Sequence, residues 1–314
     1  MITYFVELAA PDLSRLFARP DLIDRLASAG AGVALAMLDL AEARAEVIRA
    51  LNTRGVPVTA WLLLEPSQGY WLTIDNAEQA TRRYAAVRDW ARARGLALAA
   101  VGLDIEVPHE HAAALVRQGG RALKQLIRSR RSRAAVQQAA GQYAALVAQI
   151  RADGFLCESY QLPLIVDERR AGTTALQRTL GVVDLRPDRE VLMLYRSMLP
   201  GLAGELLVDA YGPEAQAIAV GITGGGVEFI LETLDLRLLD LARLLTELRR
   251  ARRYTDRLYV FSLEGCVEAG FFDDLCDADL TLPVPPARLT GVAALARAGL
   301  RALLRAEGLL DRVG

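Results

Sequence analysis

The chain is poor in three residue types that carry much of enzyme chemistry. Among 314 residues there are two histidines and three cysteines, and of 37 basic residues only Lys124 is a lysine. That lysine falls outside every predicted strand end, which leaves no candidate for Schiff-base aldolase or pyridoxal chemistry. The preference for arginine reads as the mark of a GC-rich bacterial genome. Cys157, Cys266 and Cys276 show neither CxxC spacing nor a paired framework, which fits a reducing compartment and makes a cytoplasmic protein the expectation. No basic segment with a small-residue cleavage site opens the chain, and no run of roughly 18 uncharged apolar residues interrupts it. The net charge of −1 removes the positive field that nonspecific nucleic-acid binding requires.

What the chain has in quantity is apolar surface, 53% of its residues, enough to fill a large core. It is distributed as short β-like runs alternating with long Ala/Leu/Arg stretches of helical character. Eight runs stand out: 2–8, 33–40, 56–65, 97–106, 154–161, 191–197, 217–223 and 258–264. Helical stretches lie at 21–28, 42–52, 77–94, 134–152, 171–180 and 236–251. The runs near Leu35, Leu62 and Leu192 are almost continuously apolar, as in strands buried on both faces. A βα unit repeated eight times predicts a (β/α)8 barrel. The rival, a doubly wound open sheet, lacks its Gly-x-Gly-x-x-Gly after the first strand. No linker divides residues 1–314, so one domain is expected. Pro283–Pro286 closes the barrel region, and an amphipathic helical extension follows within 287–314. Arg297, Arg301 and Arg305 recur every four positions there and read as a solvated face.

In a barrel, chemistry collects where strands end and βα loops begin. Those positions carry Glu7, Asp39, Trp61, Glu65, Asp104, Glu106, Glu158, Tyr160, Gln161, Tyr195, Arg196, Ser262 and Glu264. Acids set in apolar strands are costly unless paired, and several meeting at one rim raise one another's pKa values. Such a carboxyl stays protonated near neutral pH and serves as an acid. Asp104 and Glu106 are two apart, so they share a side of their strand. After the third strand, Trp61, Tyr70 and Trp71 offer aromatic faces with polar edges, suited to a sugar ring. Packing of Trp71 on the following helix is the plainer reading. The glycines 224–226 after the seventh strand permit phosphate binding by free backbone N–H groups, with Arg196 as partner, or a tight turn. His109 and His111 are too few for the metal centre of a barrel amidohydrolase, and a metal site there would need further ligands.

The segment Gly102-Leu103-Asp104-Ile105-Glu106 resembles the end of the catalytic motif of chitinase-type (family 18) glycoside hydrolases, and Met193-Leu194-Tyr195 is similar to that family's Met-x-Tyr. The resemblance implies Glu106 as general acid, Asp104 as its support or substrate orienter, and Tyr195 near the reacting centre. It covers these two strand ends only: the family's two earlier aspartates fall at Ala99 and Gly102. Either Glu158 or Glu264 would supply the second carboxylate that two-carboxylate hydrolysis needs.

The expectation is therefore a carbohydrate-active hydrolase with Asp104, Glu106, Glu158, Tyr195 and Glu264 as catalytic candidates and no cofactor. Its substrate would rest on Asp39, Trp61, Glu65, Tyr70, Trp71, Gln161, Arg196, Gly224 and Gly225. One alternative is a phosphosugar enzyme in which the acids hold Mg²⁺ and the glycines a phosphate. The other is a noncatalytic barrel at an anionic membrane. Residues 111–150 contain no acid, while Arg117, Arg121, Lys124, Arg128 and Arg131 recur at helical spacing. They read as a solvated face or as a lipid-binding stripe through Arg117–Arg133, interrupted at Gly119-Gly120.

Overall fold

The computed structural model describes residues 1–198, 202–226, 238–285 and 290–313. Eight parallel strands close into a barrel in sequence order. They are β1 (Ile2–Val6), β2 (Gly32–Ala36), β3 (Val58–Leu62), β4 (Ala100–Ile105), β5 (Leu156–Gln161), β6 (Arg189–Met193), β7 (Ala217–Gly221) and β8 (Leu258–Phe261). Every predicted apolar run overlaps one of them, β2 and β6 beginning one and two residues before their runs, and helices fill the intervals. The expected (β/α)8 barrel is the fold.

Period-two alternation divides each strand between two cores. Outward residues such as Tyr4, Val33, Leu35, Val101, Leu103 and Cys157 join the apolar layer between barrel and helices. Inward residues form a second cluster in which large and small side chains complement each other. Phe5, Trp61, Tyr160, Met193 and Tyr259 fill space that Ala34, Ala36, Ala217 and Ala219 leave open. Gly102 is the extreme case: a Cβ there would lie 2.3 Å from the Tyr160 phenol oxygen. Phe5 sits at the centre, its ring 4.8 Å from Tyr160, 5.1 Å from Trp61 and 5.7 Å from Tyr259. These rings plug the barrel and form a floor beneath its C-terminal mouth.

Several helical boundaries differ from the sequence reading. The stretch 171–180 is two helices, Leu164–Ala171 and Ala175–Leu180, parted at Gly172, whose φ of +70° ends the first one. The basic stretch also forms two helices, His109–Gln118 and Gly120–Arg128, broken at Gly119. The stretch 236–251 begins outside the described residues and continues as Leu241–Arg252, with the Asp240 carboxylate accepting from Arg243 N–H at 2.8 Å. Residues 286–289 also lie outside them, and the terminal helix is described over Thr290–Val313.

That last helix reverses an expectation. Arg297 is buried, its guanidinium bonded to Asp167 at 3.1 Å and Glu214 at 3.0 Å and stacked 4.0 Å above the Tyr211 ring. Arg301 reaches Asp167 at 2.8 Å. This part of the arginine face is docked because buried Asp167 needs cationic partners.

Candidate active site

At the mouth, β1, β4 and the turn after β8 bring four carboxyl groups together above the aromatic floor. Asp104 is the last inward residue of β4 and is almost wholly buried. Its Oδ2 accepts from the Trp61 indole N–H at 3.1 Å, while Oδ1 has no hydrogen-bond partner among the described residues. Burial, then the charges of Glu106 and Glu7, push its pKa well above the usual carboxylate range. Glu106, half-buried and two residues on, is raised to about 7 by desolvation. Neither carboxyl makes an ion pair among the described residues, so the two protonation equilibria are linked to each other and not to a guanidinium.

Glu264 enters from β8 by a route that strand alternation does not predict. β8 ends at Phe261, and Ser262 caps the helix Leu263–Glu268 by accepting from Gly265 N–H at 3.1 Å. Glu264 therefore lies in a first helical turn, where its Oε1 accepts from the Glu7 backbone N–H at 3.0 Å. Its Oε2 is buried without a partner among the described residues, and desolvation raises the carboxyl to about 7. Glu7, directly after β1, accepts from the Tyr70 phenol at 2.5 Å. Tyr195 completes the ring just beyond β6, its ring 6.1 Å from Phe261. Burial and then the charges of Glu106, Asp104 and Glu7 hold its phenol in the protonated form.

The loop after β3 brings its aromatics here because it pairs with β4. Leu72 N–H donates to the Asp104 carbonyl at 2.9 Å and Leu72 O accepts from Glu106 N–H at 3.3 Å. Asn76 fixes the loop from inside, bonding the Trp71 carbonyl and the Thr73 N–H, each at 2.8 Å. Tyr70 is held at φ +62°, a left-handed conformation that costs a non-glycine residue about 1–2 kcal/mol. Its bond to Glu7 is the nearest compensating contact. The Trp71 ring lies 5.8 Å from Tyr70 and 5.9 Å from His109.

The other expected residues stand elsewhere. Glu158 is inward but paired in register with Gly102, whereas Tyr160 is paired with Asp104, so Glu158 lies two residues deeper. There it is engaged by Arg189 at 2.6 Å, the Tyr259 phenol at 2.9 Å and the Tyr160 phenol at 3.3 Å. Gln161 points outward and bonds Ser159 and the Leu185 carbonyl, as expected for a residue three positions from Glu158. Asp39 is tied to Arg44 at 2.9 Å, and that fully buried arginine also holds the carbonyls of Ala36 and Leu8. Arg196 turns back to Glu205 at 2.7 Å and Glu247 at 3.2 Å, and Glu65 is exposed.

The glycine turn does cradle an anion, but one belonging to the chain. The Gly226 N–H favours the charged form of the Glu264 carboxyl, and a Cβ on Gly225 would lie 2.2 Å from Glu264 Cγ. A Cβ on Gly226 would lie 3.0 Å from Glu7 Oε2. Among the described residues no group of three or more His, Cys, Asp or Glu side chains is arranged to hold a metal ion. The missing aspartate at position 102 has a structural reason too, because the Tyr160 ring occupies its side-chain space.

Glu7 is the residue that sequence reasoning noted at a strand end but gave no role. Its shared parity with Thr3 and Phe5 was the available signal; what identifies it is the contact with Tyr70 and Glu264.

No family model matches the sequence, and no curated protein matches it. Among solved structures, the chain is similar to the PgaB (BpsB) glycoside hydrolase domain from Bordetella bronchiseptica, at 12% identity and a TM-score of 0.52, over 90% of this chain and 99% of that one. This likeness establishes the barrel. Weaker likenesses are to the 3-keto-D-glucoside 4-epimerase YcjR from E. coli (11% identity, TM-score 0.45, 95% and 98% covered) and to a xylose isomerase-like TIM barrel protein from Mycobacterium smegmatis in complex with magnesium (13%, 0.44, 95% and 88%).

Proposed function

We propose that the chain is a carbohydrate-active hydrolase whose acid is Glu106. The observation that carries this reading is the linked Asp104–Glu106 pair: two carboxyls at the mouth, without a cationic partner among the described residues, one poised at about 7. A group with that pKa is partly protonated at neutral pH yet able to release its proton, the condition for general acid catalysis. Asp104, fixed by Trp61 and itself raised well above the usual carboxylate range, stands beside it. The proton goes to the glycosidic oxygen as the bond to the anomeric carbon breaks.

Glu264 is the second carboxylate. Glu158, the other candidate, is consumed by Arg189 and two phenols, whereas Glu264 is held by one oxygen and keeps the other unbonded among the described residues. Its own backbone N–H, the Glu7 N–H, the Ser262 hydroxyl and the Gly226 N–H favour its charged form against the larger cost of burial. It serves as nucleophile or as base toward water on the face of the sugar away from Glu106. Tyr195 donates a hydrogen bond near the reacting carbon, and Tyr70 and Trp71 flank the sugar. The Mg²⁺-phosphosugar alternative loses support because the glycine turn expected to bind phosphate packs against Glu264, whose Cγ would lie 2.2 Å from a Cβ on Gly225. We also take residues 1–314 as one domain, since Arg297 and Arg301 anchor the terminal helix to Asp167 beside the barrel.

The test is turnover on a panel of chromogenic glycosides by the wild type and by Glu106→Gln. The expected result is loss of about 10²–10⁴-fold in kcat for the variant. Equal turnover by the two proteins ends the assignment.

A further inference from the structure

Two neighbouring helices carry surface that a solvated barrel does not need. On helix 290–313 the charged residues Arg297 and Arg301 face inward, and the outward side presents Val292, Leu295 and Leu303 at 50%, 75% and 71% exposure, separated by alanines and glycine. On helix 120–128, Ala122 and Leu126 pack inward while Leu123 and Ile127, one turn apart, are 43% and 45% exposed. Of the ten large apolar side chains exposed among the described residues, these two helices hold five. The concentration is what matters, since single exposed apolar residues are ordinary and clustered ones mark contact surfaces.

Arg130, two residues past helix 120–128, pairs with Glu307, and Arg133, which opens helix 133–152, donates to the Gly308 carbonyl at 3.5 Å, so the segment that follows helix 120–128 is tied to helix 290–313. Cations line the nearer edge. Arg117, Arg121, Lys124 and Arg128 are all exposed, and none makes an ion pair among the described residues. Arg117, Arg121 and Lys124 open onto a groove of about 580 Å³ shared with Gln118 and Gly120. No acid falls between 111 and 150 to neutralise them. By contrast Arg131 at the end of the stripe is bonded to Asp75, so the basic face divides into a paired end and an open end.

We infer that this face docks on an anionic lipid bilayer. Exposed aliphatic side chains flanked by unpaired guanidinium groups match the boundary between acyl chains and phosphate headgroups. Leu123 and Ile127 enter the acyl boundary, the four cations meet headgroup phosphates, and the apolar side of helix 290–313 extends the contact. A protein surface would have to offer both an apolar patch and matched acids; an anionic bilayer offers both everywhere.

The experiment is co-sedimentation of the full chain with vesicles of phosphatidylglycerol and phosphatidylcholine mixed, against phosphatidylcholine alone. Binding is expected with the anionic vesicles, falling at least tenfold at high salt. Arg121→Glu with Lys124→Glu should weaken it at least tenfold, and Leu123→Ser with Ile127→Ser should weaken it at low salt as well. None of these changes should alter thermal stability or glycoside turnover. Failure to bind anionic vesicles, or equal binding to neutral ones, overturns the inference. So does light scattering that shows a dimer dissociated by Leu295→Gln and Leu303→Gln, since a second copy would then cover the face. The vesicle-binding and light-scattering readouts do not depend on the hydrolase assignment.

Discussion

Glu106 and Glu158 are the same residue type inside the same barrel, and the protein treats them in opposite ways. Glu158 lies deep in the barrel, where Arg189 and two phenols compensate its charge. Glu106 stands at the mouth with another carboxyl as its nearest electrostatic neighbour, and burial lifts it to about 7. A buried acid with a guanidinium partner is structure. A buried acid beside a second acid holds a proton whose release is easily changed by whatever enters the site. The difference lies in the partner and not in depth alone, since desolvation leads the causes acting on both.

The comparison breaks most sharply under paired substitutions. Glu106→Gln should remove turnover by about 10²–10⁴-fold while leaving the melting temperature unchanged or raised, because a neutral amide replaces an acid that burial disfavours. Glu158→Gln should do the reverse. It strands the Arg189 guanidinium and should cost about 3–5 kcal/mol in chemical denaturation. If Glu158→Gln is as stable as wild type and only turnover falls, the two residues have been assigned the wrong way round.

Next comes crowding of the floor. Gly102→Ala places a methyl against the Tyr160 ring and should destabilise by about 1–3 kcal/mol. Because the displaced ring lies beside Asp104 in register, turnover should fall as well. A normal melting curve for this variant would mean that the ring yields freely.

The pH dependence of stability separates the mouth from ordinary surface acids. Glu106 and Glu264 are raised to about 7 in the folded protein, while unfolded glutamate titrates near about 4.3. The native state therefore binds more protons than the unfolded chain between those values. This contribution is complete below the unfolded pKa and is lost as pH rises through about 7. Denaturation midpoints should decline across that window, and Glu106→Gln with Glu264→Gln should flatten the decline. Buried Asp104, Glu158, Glu168 and Glu247 are raised as well and leave a residual slope, which Glu168→Gln should lessen. The smallest effect belongs to Tyr70→Phe, which deletes the bond to Glu7 and should cost about 1 kcal/mol.

The barrel was legible because apolar runs and helical stretches alternate eight times, burial on both faces calls for parallel strands, and the glycine motif of the open-sheet rival is missing. Asp104 and Glu106 were legible as a pair because period-two spacing holds within a strand. Alternation gives the side of a strand but not the height. Glu158 shares the inward side with Tyr160 and still lies below the mouth, because register is set between strands. Past a strand end even the side is lost. Asp39 and Arg196 turn to helical partners there, and Glu264 reaches the mouth only through a helical turn that Ser262 begins. The arginines of helix 290–313 were misjudged because their partner, Asp167, lies 130 residues earlier than Arg297.

The pairing of Leu72 with the end of β4 has a consequence for selectivity. Because Leu72 bonds on both sides of Ile105, the aromatic residues 70 and 71 are tied through the main chain to the strand end that carries Glu106. A ring resting against that aromatic edge meets the acid at a fixed offset, like an object set against the stop of a gauge. On the proposed reading, the spacing between the aromatic grip and the acid is written into main-chain geometry, and changing the side chains at 70 or 71 would alter the grip without moving Glu106.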